Sequence, residues 1–264
     1  MPSRLVVTGC RGRMGSLLIE EALKDPTFDL VGAIERAGHP DLGQPLPQRP
    51  SLAIVADLAR TLKDADVLIE FTTPEATVAN AELAASAGVP MVIGTTGLSE
   101  AQLGSLAACA RRIPIFRSPN MSIGILMLDR MIKEAANVLK VFELHHTVKP
   151  RIVEIHHAQK KDAPSGTAKF LAANTGGYFD IPDDPDHIPI ESKREGEVVG
   201  IHTETIRFGD ERIALEHEAL SRRAFARGAL LVAKFMVEHV RRRPGSYDMD
   251  TFYDVVQAAR SKGV

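Results

Sequence analysis

Cysteine is almost absent: Cys10 and Cys109 are the only two in 264 residues. That is too few for a disulfide framework, and they lack the spacing of a metal knuckle, so a reducing, cytoplasmic setting is expected. Net charge is nearly absent too, at -2 from 32 basic and 34 acidic side chains. No broad cationic field exists to draw the chain onto nucleic acid or an anionic membrane, and neither is expected as a partner. No apolar run is long enough to span a bilayer, and the amino terminus opens on a polar-flanked strand rather than a basic, apolar leader. Internal repeats and low-complexity tracts are missing. What is present is an ordinary globular composition, 44% hydrophobic and 25% charged, in a length that suits one large or two modest domains.

From Arg4 to about Phe116, short aliphatic runs alternate with segments of helical period. The runs are Leu5 to Val7, Leu30 to Ile34, Val67 to Phe71, Met91 to Ile93 and Ile113 to Phe116, with helical stretches at Met14 to Leu23, Ala76 to Ala87 and Glu100 to Arg111. This alternation predicts an α/β fold with a Rossmann-like, doubly wound parallel sheet. After Asn120 the pattern changes. Ile123 to Leu139 reads as one long helix, followed by runs of period two at Val153-Ile155-His157, Val199-Ile201-Thr203-Thr205 and Ile213-Leu215-His217. Strands of that kind belong to a mixed or antiparallel sheet with one open face, the centre of a second α+β domain. Gly176 to Pro189, with a Gly-Gly pair, four aspartates and three prolines, predicts a loop. Helical periodicity returns at Phe225, Leu230, Val232, Phe235 and Met236, and a last helix near Met249 to Ala259 is expected to pack back on the first domain. The expected division is residues 1-121, completed by carboxy-terminal helices in 223-264, for dinucleotide binding, and 122-222 for substrate binding and catalysis.

The string Gly9-Cys10-Arg11-Gly12-Arg13-Met14-Gly15 follows a strand and opens an amphipathic helix. A pyrophosphate needs close backbone approach and free N–H groups at a helix start, and glycines allow both. A glycine triplet alone also serves many tight turns. Its context is more specific, because about twenty residues on, at the end of the next strand, stand Glu35 and Arg36. Glu35 fits ribose hydroxyls, as in NADH, and Arg36 fits a 2′-phosphate, as in NADPH. Two more loops, Phe71-Thr72-Thr73-Pro74-Glu75 and Gly94-Thr95-Thr96-Gly97, fall after successive strands, where an open α/β sheet binds ligands.

The densest chemistry lies between Glu154 and Ala168. His156, His157, Lys160 and Lys161 precede Pro164-Ser165-Gly166-Thr167, a turn into an apolar helix that resembles an anion cradle with Ser165 or Thr167 as cap. Adjacent cations point to a carboxylate-bearing substrate, and imidazole and ammonium groups are the usual proton donors when a hydride adds to a polarised double bond. A strand histidine can equally be a satisfied structural residue, and Lys161 with Asp162 a solvated pair. No metal is expected, since His145, His146, His156 and His157 have no Cys or Glu ligand at helical or knuckle spacing.

These motifs together resemble the 4-hydroxy-tetrahydrodipicolinate reductase (dihydrodipicolinate reductase) family over nearly the whole chain. The resemblance rests on the Gly9 to Gly15 turn, Glu35-Arg36, the Phe71 and Gly94 loops, Ser118-Pro119-Asn120-Met121-Ser122-Ile123-Gly124, the Glu154 to Ala168 run, Ser221-Arg222 with Phe225 to Ala229, and Pro244 to Met249, in the family's order. It implies His156 as catalytic acid/base, Lys160 as proton donor, and His157, Ser165, Gly166 and Thr167 around the substrate carboxylates. It also implies a cofactor site of Gly9 to Met14, Glu35, Arg36, Gly94 to Thr96 and Ser118 to Met121. The implied reaction is hydride transfer from NADH or NADPH to a small cyclic dicarboxylate, with loss of water, in two domains that close about a hinge. Family members are commonly homotetramers through the second domain's sheet. Here Arg194-Glu195-Gly196 leads straight through Glu197 and Val198 into Val199 to Thr203, without the family's usual further stretch. The second domain is therefore expected to be shortened, and a homo-oligomer is expected without assigning the tetramer. Other readings are a different two-domain NAD(P)-dependent dehydrogenase, or a catalytically silent nucleotide sensor.

Overall fold

β1 (Ser3–Thr8) buries Leu5, Val6 and Val7 in succession, as a strand covered on both faces does. It leads to α1 (Arg13–Ala22), β2 (Phe28–Ile34), a hairpin of β3 (Pro45–Leu46) and β4 (Arg49–Val55), the single turn α2 (Leu58–Thr61), β5 (Val67–Glu70), α3 (Pro74–Ala87), β6 (Met91–Ile93), α4 (Glu100–Ala110) and β7 (Pro114–Arg117). The computed structural model describes residues 1–182 and 188–261. Local signals set the helix limits. Thr73 caps α3 by accepting the Ala76 N–H, Pro74 sits at its start, and Gly88 ends it in the left-handed region. A Ser99–Gln102 capping box opens α4.

The strands order as β4-β2-β1-β5-β6-β7, all parallel, with β3 added antiparallel at one edge. The chain winds from β1 outward through β2, then returns to β5 and winds the other way. The strand order therefore reverses between β1 and β5, which opens a crevice at their carboxyl ends. Ala81, Ala84 and Leu106 of α3 and α4 pack on Val6, Leu68 and Met91 beneath it.

Residues 122–224 form a compact unit of their own. It holds α5 (Ile123–Val141), β8 (Lys149–His156), α6 (Gly166–Tyr178), β9 (Ile190–Arg194), β10 (Ile201–Phe208) and β11 (Glu211–Glu218). The sheet runs β11-β10-β8-β9, parallel between β8 and β9 and antiparallel elsewhere. Ile125, Leu128 and Ile132 of α5 and Leu171 of α6 cover one face against Ile152 and Ile206.

Two expectations change here. The segment from Gly176 is not loop at its start, because α6 continues through Gly176 and Gly177 to Tyr178. Tertiary bonds outweigh the weak helix propensity of glycine: Asn174 and the Tyr178 hydroxyl donate to Asp129 at 2.9 and 2.8 Å, and Thr175 donates to Glu204. The part of that loop at 183–187 lies outside the described residues. Second, the period-two pattern hides which face is covered. On β8 and β10 the buried positions are Pro150, Ile152, Glu154, His156, His202, Glu204 and Ile206, while Val153, Ile155, Ile201, Thr203 and Thr205 are half-buried on the other face. Ionisable side chains thus face the helices, where they find partners that the sequence does not display.

After this unit the chain returns to the first through α7 (Arg223–Phe235), a π-helical stretch (Met236–Val240), β12 (Gly245–Tyr247) and α8 (Met249–Ser261). β12 pairs in parallel with β7 and completes an eight-stranded sheet. A Cβ at Gly228 would stand 1.7 Å from the Met121 carbonyl oxygen, so α7 requires glycine there. Among the described residues no helix is long and apolar enough to cross a membrane.

Burial holds the Glu204 carboxyl up at about 7, and the charge of Asp129 adds to the rise. The folded chain therefore keeps a proton that the unfolded chain releases above its ordinary value of 4.5. Stability falls as pH rises through that window and stays lower above it. Glu204→Gln, which cannot ionise, should gain about 2 to 3 kcal/mol on the parent between pH ~5 and pH ~8. Denaturant midpoints at the two pH values measure this; a constant difference between the two proteins would mean that folding leaves the Glu204 carboxyl at its ordinary value.

Candidate active site

Gly9 takes a φ of 62°, and a Cβ there would stand 2.8 Å from the Phe71 carbonyl oxygen; one at Gly15 would stand 2.0 Å from the Gly9 carbonyl oxygen. Both positions require glycine. Gly12 is the cap of α1, whose first turn carries no acidic residue. The positive end of that helix is thus left to an anionic ligand. Cys10 turns inward and is buried, and burial pushes its thiol up to about 12, so it contributes backbone rather than thiol chemistry. The Arg11 guanidinium lies 2.6 Å from Asp41, and Arg13 and Met14 open the helix.

The Glu35 carboxylate accepts the Arg11 N–H at 2.9 Å and the Arg36 N–H at 3.2 Å, which clamps the glycine turn to the end of β2. A cavity of about 610 Å³ opens at this point, lined by Gly9, Gly12, Glu35 and Arg36 together with Ala56 to Leu58, Phe71 to Thr73 and Asn80. Its volume falls in the range of small-molecule sites. Gly94, Thr95 and Thr96 do not line the cavity, but Gly94 and Thr95 back onto the residues that do. A Cβ at Gly94 would stand 2.1 Å from the Phe71 ring, and the Thr95 hydroxyl accepts the Thr72 N–H at 3.0 Å. Ser118 to Met121 leave β7 further along the same edge, where the Ser118 hydroxyl donates to the Asn120 carbonyl at 2.6 Å. Sequence reading missed Ala56 to Leu58, whose strand and helix it did not find, and missed Glu70. That acid ends the apolar run of β5 fully buried, and takes hydrogen bonds from Thr8, Thr72, Thr77 and Asn80. An acid closing a wholly apolar strand was the available signal.

In the second unit, Ser165 caps α6 by accepting the Ala168 N–H at 3.1 Å. Gly166 and Thr167 then stand in the first turn of that helix. A Cβ at Gly166 would meet nothing within 4 Å, so that approach is open. His156 ends β8 on the buried face, and half-buried His157 follows it. Lys160 pairs with Asp162 at 2.8 Å.

Glu154 joins these pieces. In register across the sheet lie Ser192, Glu154, His202 and His217. One oxygen of the fully buried Glu154, Oε1, accepts from the Ser165 N–H at 3.0 Å, the Ser192 hydroxyl at 2.7 Å and Arg194 at 3.1 Å. Burial alone would raise this carboxyl, but those hydrogen bonds outweigh it and hold it down at about 2. The other oxygen, Oε2, lies 3.0 Å from His156 Nδ1, without hydrogen-bond alignment. Burial lowers His156 below its ordinary value, partly opposed by the Glu154 charge, and drives His202 to about 3. At neutral pH the His202 ring rests uncharged, and burial biases His156 the same way. Glu154, His156 and His202 have the ligand types of a zinc site, with donor atoms within 4.8 Å of one another. Arg194 already matches the Glu154 charge and the two rings meet edge-on, so the three are read as a packed polar cluster.

The sequence profile described as dihydrodipicolinate reductase, N-terminus, matches residues 3–121, and the one described as its C-terminus matches residues 124–253. The chain belongs to the dihydrodipicolinate reductase family. It is 38% identical to the 4-hydroxy-tetrahydrodipicolinate reductase of Anaeromyxobacter dehalogenans (strain 2CP-C), over 94% of this chain and 96% of that one. It is 37% identical to that of Burkholderia pseudomallei (strain 668), over 93% and 97%. Among solved structures, the dipicolinate-bound dihydrodipicolinate reductase of Paenisporosarcina sp. TG-14 superposes with a TM-score of 0.75 at 23% identity, covering 94% of this chain and 98% of that one. Membership of this reductase family makes the chain an oxidoreductase that works with a pyridine nucleotide. The bare helix start, the glycine approach and the cavity fit such a cofactor.

Gly9→Ala places a methyl against the Phe71 carbonyl in a backbone region costly for alanine, by about 1–3 kcal/mol. NADH affinity, followed by fluorescence titration of a variant with native circular dichroism, should drop by about tenfold or more. An unchanged affinity would mean that the turn does not hold the nucleotide.

Proposed function

We propose that this chain reduces (2S,4S)-4-hydroxy-2,3,4,5-tetrahydrodipicolinate to tetrahydrodipicolinate with loss of water, in cytoplasmic lysine and diaminopimelate biosynthesis. The observation that carries the reading is local to the second unit: a buried His156 and the paired cation Lys160 stand in the segment that runs into the amino terminus of α6. A small dicarboxylate suits this arrangement. The N–H groups of Gly166 and Thr167, with capping Ser165 and the neighbouring His157, would hold its carboxylates by charge-assisted hydrogen bonds.

The nicotinamide, of NADH or NADPH, supplies the hydride when bound. As one end of a polarised double bond gains hydride, the other end needs a proton. His156 is the acid/base and Lys160 the donor. Asp162 holds Lys160 in place by its ion pair. For the nucleotide, Gly9 to Met14 would take the pyrophosphate on the bare start of α1, Glu35 the ribose hydroxyls and Arg36 a 2′-phosphate, so both cofactors are accepted. Gly94 to Thr96 and Ser118 to Met121 would continue the same edge toward the nicotinamide. A homo-oligomer through the open face of the four-stranded sheet, at Val153, Ile155 and Ile201, completes the reading.

The test is NAD(P)H oxidation with freshly made condensation product of pyruvate and aspartate semialdehyde. Cofactor binding without turnover would sink the proposal and favour a nucleotide-sensing relative. Lys160→Ala should cut kcat by about 10²-fold or more with NADH binding nearly unchanged; equal loss of both would remove its donor role. Arg36→Ala should weaken NADPH more than NADH, and a constant ratio of the two affinities would show that Arg36 makes no 2′-phosphate contact.

A further inference from the structure

Glu154 touches both halves of the proposed acid and anion machinery, through different oxygens. Oε1 holds the Ser165 N–H, at the residue that caps the cradle helix, and Oε2 lies 3.0 Å from Nδ1 of His156. We infer, on the functional reading above, that Glu154 is a positioning residue: it sets the tautomer and orientation of His156 and ties that ring to the Ser165 cradle as one rigid body.

Three observations support this. Glu154 has no exposure to water, so solvent does not screen it from the imidazole edge beside it. A carboxylate next to Nδ1 selects the Nδ1–H form, which leaves Nε2 as the working nitrogen, and a third group orienting a base is a general catalytic device. The second oxygen is also kept free for this task, since all three donors to Glu154 lie on Oε1.

The opposite edge of the ring has been kept clear. A Cβ at Gly200 would stand 3.1 Å from His156 Nε2, so glycine there leaves that nitrogen unobstructed. His202, directly across from Glu154 in the sheet, braces the ring edge-on with centroids 5.1 Å apart. Its own burial keeps it neutral, so it does not repel a proton on His156. The charged and titratable groups that face His156 are Glu154 on its own strand, Lys160 and Asp162 in the following loop, Arg194 on β9 and His202 on β10. Glu154 is the one that raises the proton affinity of His156 most, against Lys160 and Arg194, which lower it.

The experiment is Glu154→Gln in the full-length protein, which keeps size and acceptor oxygen but removes the charge. Expected are a kcat lowered by about 10²-fold with unchanged NADH affinity, a kcat–pH profile whose His156 limb moves to lower pH, and weaker binding of pyridine-2,6-dicarboxylate as the cradle loosens. Nitrogen-resolved NMR of the His156 ring should show the Nδ1–H form in the parent and a mixture in the variant. A lower kcat with the limb and the tautomer both in place would reduce Glu154 to a structural role and overturn the inference. Should Glu154→Gln not fold, Gly200→Ala tests the other edge: it should lower kcat by crowding Nε2 while the Nδ1–H form persists, and full activity would overturn the assignment of Nε2. His156→Ala separates the two levels. If it retains normal turnover, the functional reading itself fails; if it is inactive while Glu154→Gln is fully active, the positioning inference alone fails.

Discussion

A carboxylate sealed from water must be answered inside the protein, and the answer given to Glu154 organises the second unit. Three donors converge on one of its oxygens, from two separate segments: the cap of α6 at Ser165, and strand β9 at both Ser192 and Arg194. Arg194 also donates to the Asp162 carbonyl at 2.5 Å, which anchors the loop that carries Lys160. Breaking a buried charge from its partners is far more costly than breaking a surface pair. The network therefore fixes geometry: it holds a loop, a helix start and a strand end to one another.

The first unit uses the same device twice. Glu70, fully buried, gathers hydroxyls and an amide from the ends of β1 and β5 and from α3. Glu35 clamps the glycine turn through two backbone N–H groups. In each case an acid at or just past a strand's carboxyl end converts flexible loop backbone into a defined surface. The loops at the edge of an α/β sheet can then be rich in glycine without being loose.

Much of this fold was legible because its signals are local and long. Nineteen residues of helical period announce α5, and the fully apolar runs of β1, β2 and β5 announce a doubly covered sheet. The hairpin β3–β4 and the turn α2 were hidden by Pro45, Pro47 and Pro50, which read as irregular chain although the sheet's edge tolerates them. The end of α6 was hidden by Gly176-Gly177, since the bonds from Asn174 and Tyr178 to Asp129 form only when distant segments meet. The same limit governs the site. Gly9, Glu35, His156 and Lys160 sit in motifs that can be quoted as strings, whereas His202 and Arg194 reach Glu154 only through strand register. A rule that places apolar parity inward assigns Glu154 to the wrong face of β8, because polarity there is satisfied by partners rather than by water.

The cap of α1 is a glycine, with nothing of its own to offer the helix's first amides. Most helices of this protein finish their own beginnings, as Thr73, Ser99, Ser122 and Ser165 do. Here completion is left to whatever anion arrives. A helix finished by its ligand is stabilised by mass action, with the logarithm of free ligand over its Kd, so the folded population of the first unit becomes a quantity that nucleotide supply can tune.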